Sequence, residues 1–197
     1  MTAFTITLDA IGTLTDEAFY QLCQANPDTK FERSAQGELI IMSPTGGESG
    51  RRNADITIDL GIWNRQHQLG YVFDSSTCFK LTNGAERSPD VAWIERNRWE
   101  SLSAEERVKF PPITPDFVVE LRSASDSLAS LQAKMSEYQD CGVRLGWLLN
   151  PQTQQAEIYR LGHPKEILQS PQQLSGETVL PGFTLNLARI FEWKPPC

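Results

Sequence analysis

The sequence predicts an α/β domain in which helices cover a mixed β-sheet. Two observations carry this. The middle of the chain reads as a long helix, three strands, a helix and a strand, with further elements at both ends. The run "PDFVVELRS" at 115–123 is almost continuously apolar, as a strand buried on both faces requires. Yet it carries Glu120 and Arg122 two residues apart, on one face of the strand. A length of 197 residues suits one domain, 1–197, with a sizeable core.

The elements follow in order. "LTDEAFYQLCQANP" reads as a short helix with Thr15 as N-cap and Pro27 beyond its end. "KFERSAQGELIIMSP" reads as a hairpin turning around Gln36-Gly37. "TGGESGRRNADITIDLGIWNRQHQLG" has helical spacing: Ile56, Leu60 and Trp63 form one stripe and Ile58 and Ile62 a second, which predicts a helix covered on two sides. "YVFDSS" and "CFKLT" are strand-like, with "NGAER" as a turn. "PDVAWIE" is a strand placing Asp90, Ala92 and Ile94 on one face. "SAEERVK" is a helical turn capped by Ser103. After "PDFVVELRS" comes a helix, "SDSLASLQAKMSEYQDCG", capped near Ser125 or Asp126 and stopped by Gly142. "VRLGWLLNP" is a strand, "QQAEIYRLG" and "KEILQS" form a hairpin, and "LPGFTLNLARIFEW" closes with a short helix.

Composition narrows the function classes. No apolar run approaches the ~20 residues that cross a bilayer, and "MTAFTITLDA" lacks the basic region and apolar core of a signal peptide. A cytoplasmic protein is expected. Four cysteines form no CxxC pair and no zinc-ligand spacing with histidine. With two histidines there is little material for a Ser-His-Asp triad or a two-His metal site. The net charge of −7 counts mildly against nucleic acid as a partner; the densest basic feature is "GRRN" at 50–53.

Asp90 heads one strand and Glu120 lies within the next. Carboxylates on neighbouring strands are the few, hard oxygen ligands that Mg²⁺ takes while keeping water in its other positions. Asp90 alone reads as a solvated residue at a strand end. Glu120 does not, because it interrupts "FVVEL". In the following helix Leu128, Leu131, Met135 and Tyr138 form the apolar stripe, and Lys134 falls beside Tyr138 at its edge. A lysine there either snorkels to solvent or enters a polar pocket; Glu120 just upstream favours the pocket.

The segments "MSPTGGESGRRNADI", "SPDVAWIERNRW", "FPPITPDFVVELRSASDSLASLQAKMSEYQDCGVRLGWLLNP" and "LPGF" resemble the Uma-type (Uma2-like) family of restriction-endonuclease-like proteins, abundant in cyanobacteria, within the PD-(D/E)xK nuclease superfamily. The resemblance implies a restriction-endonuclease-like mixed sheet flanked by helices, with an extra N-terminal helix and hairpin. It places Asp90 at the PD aspartate and Glu120 at the acidic position. Arg122 stands where the motif lysine belongs, a departure, since arginine is a poor general base. The resemblance then implies that the lysine has moved to the next helix, as Lys134. Glu48 matches an additional acidic position.

The leading expectation is a Mg²⁺- or Mn²⁺-dependent DNA endonuclease. Asp90, Glu120 and the carbonyl of Leu121 would hold the metal, Lys134 would orient or activate water, Glu48 would assist, and Arg122, Arg51 and Arg52 are phosphate-contact candidates. Nucleases of this fold often act as dimers, so a homodimer is a possible form. Two alternatives remain open: a catalytically inactive binding or assembly module of the same fold, and a metal-dependent hydrolase of small phosphate compounds.

Overall fold

The computed structural model describes residues 3–8, 12 and 14–191. Its elements are, in chain order, β1 (Ala3–Ile6), α1 (Asp16–Ala25), β2 (Lys30–Arg33), β3 (Leu39–Met42), α2 (Gly47–His67), β4 (Gly70–Asp74), β5 (Phe79–Lys80), β6 (Glu86–Arg87) and β7 (Val91–Glu95). There follow α3 (Arg96–Glu100), α4 (Ala104–Val108), β8 (Phe117–Leu121), α5 (Leu128–Asp140), β9 (Leu145–Asn150), β10 (Gln155–Arg160), β11 (Glu166–Gln169), β12 (Gln173–Ser175), β13 (Thr184–Asn186) and α6 (Ala188–Phe191).

The central sheet has six strands in the order β11-β10-β9-β8-β7-β4. It is mixed: β8 and β9 run parallel, joined by α5, while the other neighbours are antiparallel. Helices cover both faces. Ile56, Leu60 and Trp63 of α2 pack with Trp93, Val119, Leu121, Trp147 and Leu149 on one side. Met135 and Tyr138 of α5 pack with Ala92, Ile94, Val118 and Leu148 on the other. Both faces being buried explains the apolar runs of β7, β8 and β9.

Several expectations need correction. Ile58 and Ile62 are 55% and 50% exposed, so among the described residues α2 is covered on one side only: it is an outer layer whose second stripe is left exposed. The strand "CFKLT" does not join the central sheet. β5 pairs with β6, and β6 with β2, so the N-terminal hairpin grows into a second sheet in the order β1-β3-β2-β6-β5. The N-cap of α5 is Ser127, whose hydroxyl accepts from Ser130 N, rather than Ser125 or Asp126. Strands β1, β12 and β13 and helix α3 are additional to the sequence reading, and β6 occupies the end of "NGAER", which was expected to be turn only.

Two glycines are required. Gly142, at φ +101, ends α5 in a conformation side chains resist. Gly70 begins the edge strand β4, where a Cβ would overlap the Ile94 carbonyl oxygen and lie 2.5 Å from the Trp93 ring. Asp116 stands just before β8, fully buried. Its Oδ2 accepts from Glu95 N at 2.9 Å and its Oδ1 lies 2.8 Å from Arg98 Nη1, which ties the β7–α3 corner to the start of β8.

Candidate active site

The register Val91↔Val119 between β7 and β8 brings Asp90, at the head of β7, beside the end of β8. There Asp90 Oδ2 accepts from Leu121 N at 2.8 Å and Oδ1 from Asn53 Nδ2 of α2 at 2.9 Å. The carboxylate is therefore fixed from both a strand and a helix. Glu120 projects from β8 toward α5, where Tyr138 and Lys134 lie one turn apart on a single helix face. The Tyr138 hydroxyl donates to Glu120 Oε1 at 3.0 Å, and Lys134 Nζ lies 2.8 Å from the same oxygen.

Lys134 Nζ has a second carboxylate, Glu32 Oε1 of β2, at 2.9 Å. Glu32 in turn accepts from Ser88 N at 3.0 Å and pairs with Arg87 Nη1 at 3.2 Å, while Arg87 Nε lies 2.6 Å from Glu137 Oε2. These groups lie where the N-terminal sheet meets α5. Asp90, Glu120, Lys134, Glu32 and Arg87 line one cleft there of about 570 Å³.

Burial and charge set the protonation states. Burial pushes Glu120 up; Lys134 opposes this, but Asp90 and Glu32 add to it, and the carboxyl reaches about 7. For Glu32 burial is outweighed by Lys134, Arg87 and Lys30, which hold it down at about 2. Burial alone would lower Lys134, yet the facing Glu120 and Glu32 raise it above the ordinary lysine range. With two carboxylates within 3 Å, Lys134 is held as an ammonium. Burial raises Tyr138 well above the usual phenol, so its hydroxyl remains a donor.

The other predicted residues stand apart from this cluster. Glu48, in the first turn of α2 with its side chain 59% exposed, faces Arg51 at 3.3 Å and Arg52 at 3.6 Å. Arg51 is also held by Asp55 at 3.0 Å and the Arg189 carbonyl at 3.4 Å. Arg52 is buried, and its Nε and Nη2 make no hydrogen bond. Arg122 turns its Nε to the Asp126 carbonyl at 3.3 Å, so the partners of Glu120 come from α5 and not from Arg122.

Sequence reasoning missed Glu32, Asn53, Arg87 and the polar role of Tyr138. Tyr138 sat in an apolar stripe, and its hydroxyl was the signal that could have been weighed. Glu32 lies in "KFER", which reads as an ordinary half-exposed strand; only the docking of the two sheets shows that its side is the buried one.

Residues 16–188 match the family described as "Putative restriction endonuclease", Uma2. The chain belongs to the Uma2 family. The crystal structure of a protein described as a "putative nuclease belonging to DUF820", from Anabaena variabilis, shares the fold: the TM-score is 0.72 at 16% identity, over 84% of this chain and 92% of that one. No curated protein matches the chain.

Restriction-endonuclease-like proteins usually use divalent metals, and the donor set in the cleft fits a hard one. Among the described residues no group of three His, Cys, Asp or Glu side chains is placed to hold a metal. Mg²⁺, however, commonly takes one or two carboxylates and completes its shell with water. Asp90 and Glu120 share the cleft, and Lys134 and Tyr138 both meet Glu120 at Oε1. Burial chiefly raises Glu120, with Asp90 and Glu32 adding to it, and a cation beside it would favour the ionised form.

Proposed function

We propose that this Uma2-family protein is a divalent-metal-dependent nuclease that hydrolyses DNA phosphodiester bonds in the cleft between the N-terminal sheet and α5. One observation carries the reading: two carboxylates from neighbouring strands, Asp90 and Glu120, line one cleft with Lys134 Nζ 2.8 Å from Glu120. Asp90 and Glu120, with the carbonyl of Leu121, would hold Mg²⁺ or Mn²⁺. Such a cation supplies Lewis-acid charge at the phosphate and lowers the pKa of an attacking water.

The remaining work falls to side chains. Asn53 and the Leu121 N–H fix the orientation of Asp90. Tyr138 and Lys134 fix Glu120 through Oε1. As an ammonium, Lys134 orients Glu120 and offsets negative charge when a phosphate approaches; it does not take the proton from water. Glu48, Arg51 and Arg52 at the start of α2, and Arg122 after β8, are secondary candidates for holding water or phosphate. A homodimer would let two such clefts address both strands. No helix among the described residues is long and apolar enough to cross a membrane; with the free cysteines 23, 78 and 141, a cytoplasmic setting is the one we propose. A non-catalytic module of the same fold is the competing reading, and the arginine at the motif-lysine position, Arg122, is the observation that favours it.

The test is cleavage of supercoiled and linear DNA by the purified protein in Mg²⁺ or Mn²⁺, at stated salt. Wild type is expected to cut only with metal, and Asp90→Asn to lose roughly 100-fold or more, since even outer-shell changes at metal sites cost about 10–100-fold. Cutting that persists in chelator, or in Asp90→Asn, refutes the assignment.

A further inference from the structure

Lys134 bridges two sheets. Its ammonium meets Glu120 of the central sheet at 2.8 Å and Glu32 of the N-terminal sheet at 2.9 Å, with the Ser88 carbonyl at 3.5 Å. An ammonium has three N–H donors, so these partners account for all of them. Glu32 is itself held in place by its partners. It is buried, accepts from Ser88 N at 3.0 Å and pairs with Arg87, which pairs with Glu137 three residues beyond Lys134 on α5. The Ser88 it grips lies two residues before Asp90. One carboxylate therefore holds both the lysine over Glu120 and the segment that presents Asp90.

We propose that Glu32 is a positioning residue of the candidate active site, fixing Lys134 Nζ against Glu120 and the Ser88–Asp90 segment from the N-terminal sheet. Its consequence for cleavage rests on the nuclease reading above; its consequence for geometry does not. A mere latch between sheets has a cheaper solution, because apolar residues of similar volume often replace a buried ion network without loss of stability. Here the network instead reaches Glu120 through Lys134 and the segment that presents Asp90 through Ser88 N, which a latch does not require. The N-terminal sheet thereby becomes part of the site rather than an appendage to the nuclease fold.

The experiment uses Glu32→Gln, which keeps shape and an acceptor for Ser88 N–H but removes charge, and Glu32→Asp, which keeps charge but retracts it. For DNA cleavage in Mg²⁺ at fixed salt, Glu32→Gln should lower kcat by roughly 10–100-fold while KM changes less than about 3-fold, as expected when a group supporting a site's ligands is lost. Glu32→Asp should recover part of that loss. In a Lys134→Ala background Glu32→Gln should add little, because residues acting as one unit are not additive. A crystal structure of Glu32→Gln provides a readout independent of activity: Lys134 Nζ should leave hydrogen-bond reach of Glu120, beyond about 3.5 Å. Unchanged kcat, a loss confined to melting temperature, or Lys134 still seated on Glu120 overturns the proposal. Wild type that never cuts DNA overturns the nuclease reading, and the position of Lys134 in the variant then judges Glu32 by itself.

Discussion

Glu120→Gln should make the metal-free protein more stable at alkaline pH. Glu120 is fully buried, and its carboxyl is raised from the ordinary 4.5 to about 7. A raised carboxyl contributes stability that is complete below its unfolded pKa and is lost as pH rises through its folded value. The window is therefore pH 4.5 to about 7. At about 1.4 kcal/mol per tenfold change in proton affinity, the ionised side chain costs roughly 3 kcal/mol at pH 8. Glutamine mimics the protonated form and can still accept from Tyr138, so it escapes this cost. For a domain of this size that is a difference of roughly 6–12 °C in melting temperature. The assay is thermal or urea unfolding of both proteins from pH 5 to 9 in chelator, taking the difference so that other titrations cancel. The variant should match wild type near pH 5 and exceed it at pH 8. Adding Mg²⁺ or Mn²⁺ at pH 8 should stabilise wild type, by about 2.7 kcal/mol at 100 times Kd, and leave the variant nearly unmoved. A pH-independent difference, or equal metal stabilisation of both proteins, refutes the reasoning.

Lys134→Ala should lower metal-dependent cleavage by roughly 100-fold, leaving residual cutting on which the Glu32→Gln double variant can be read. It should also destabilise by about 3–5 kcal/mol at pH 8, because two buried carboxylates lose their shared cation; unfolding at pH 5 should show a smaller loss, since Glu120 can then protonate while Arg87 still pairs with Glu32. Gly70→Ala should cost about 1–3 kcal/mol by urea unfolding, since its Cβ has no room against Ile94 and Trp93; an unchanged midpoint would show that β4 can shift freely. Ile58→Lys and Ile62→Lys should change stability by no more than about 0.5 kcal/mol each, as exposed positions do. A large loss in the melting temperature of either would mean that this face of α2 is covered in solution.

The central sheet was legible because its strands obey strong local rules. "FVVEL" and "LGWLL" are too apolar to be anything but buried, and the apolar spacing of α5 placed it beside them. The charged exceptions were legible for the same reason: Glu120 stood out against its neighbours, and Lys134 fell at a stripe edge. What was not legible depends on contacts distant in sequence. Glu32 and Lys134 lie 102 residues apart, and nothing local in "KFER" distinguishes a buried glutamate from an exposed one. Phe79-Lys80 and Glu86-Arg87 are two-residue strands, too short for an alternation pattern to declare which sheet they join. The second stripe of α2 misled because helical spacing reports amphipathicity, not whether a partner exists to cover it. The second carboxylate on Lys134 was not legible, because Glu32 reaches it from the other sheet.

The central claim is that Asp90 and Glu120 together hold a divalent cation. The most direct measurement is anomalous diffraction from crystals soaked in Mn²⁺ at pH 8. The account predicts a single strong peak in the cleft within about 2–2.5 Å of a carboxylate oxygen of each residue, the distance range of oxygen-bound divalent ions, and no such peak in Glu120→Gln. A well-occupied peak elsewhere, with both carboxylates bare, would contradict it.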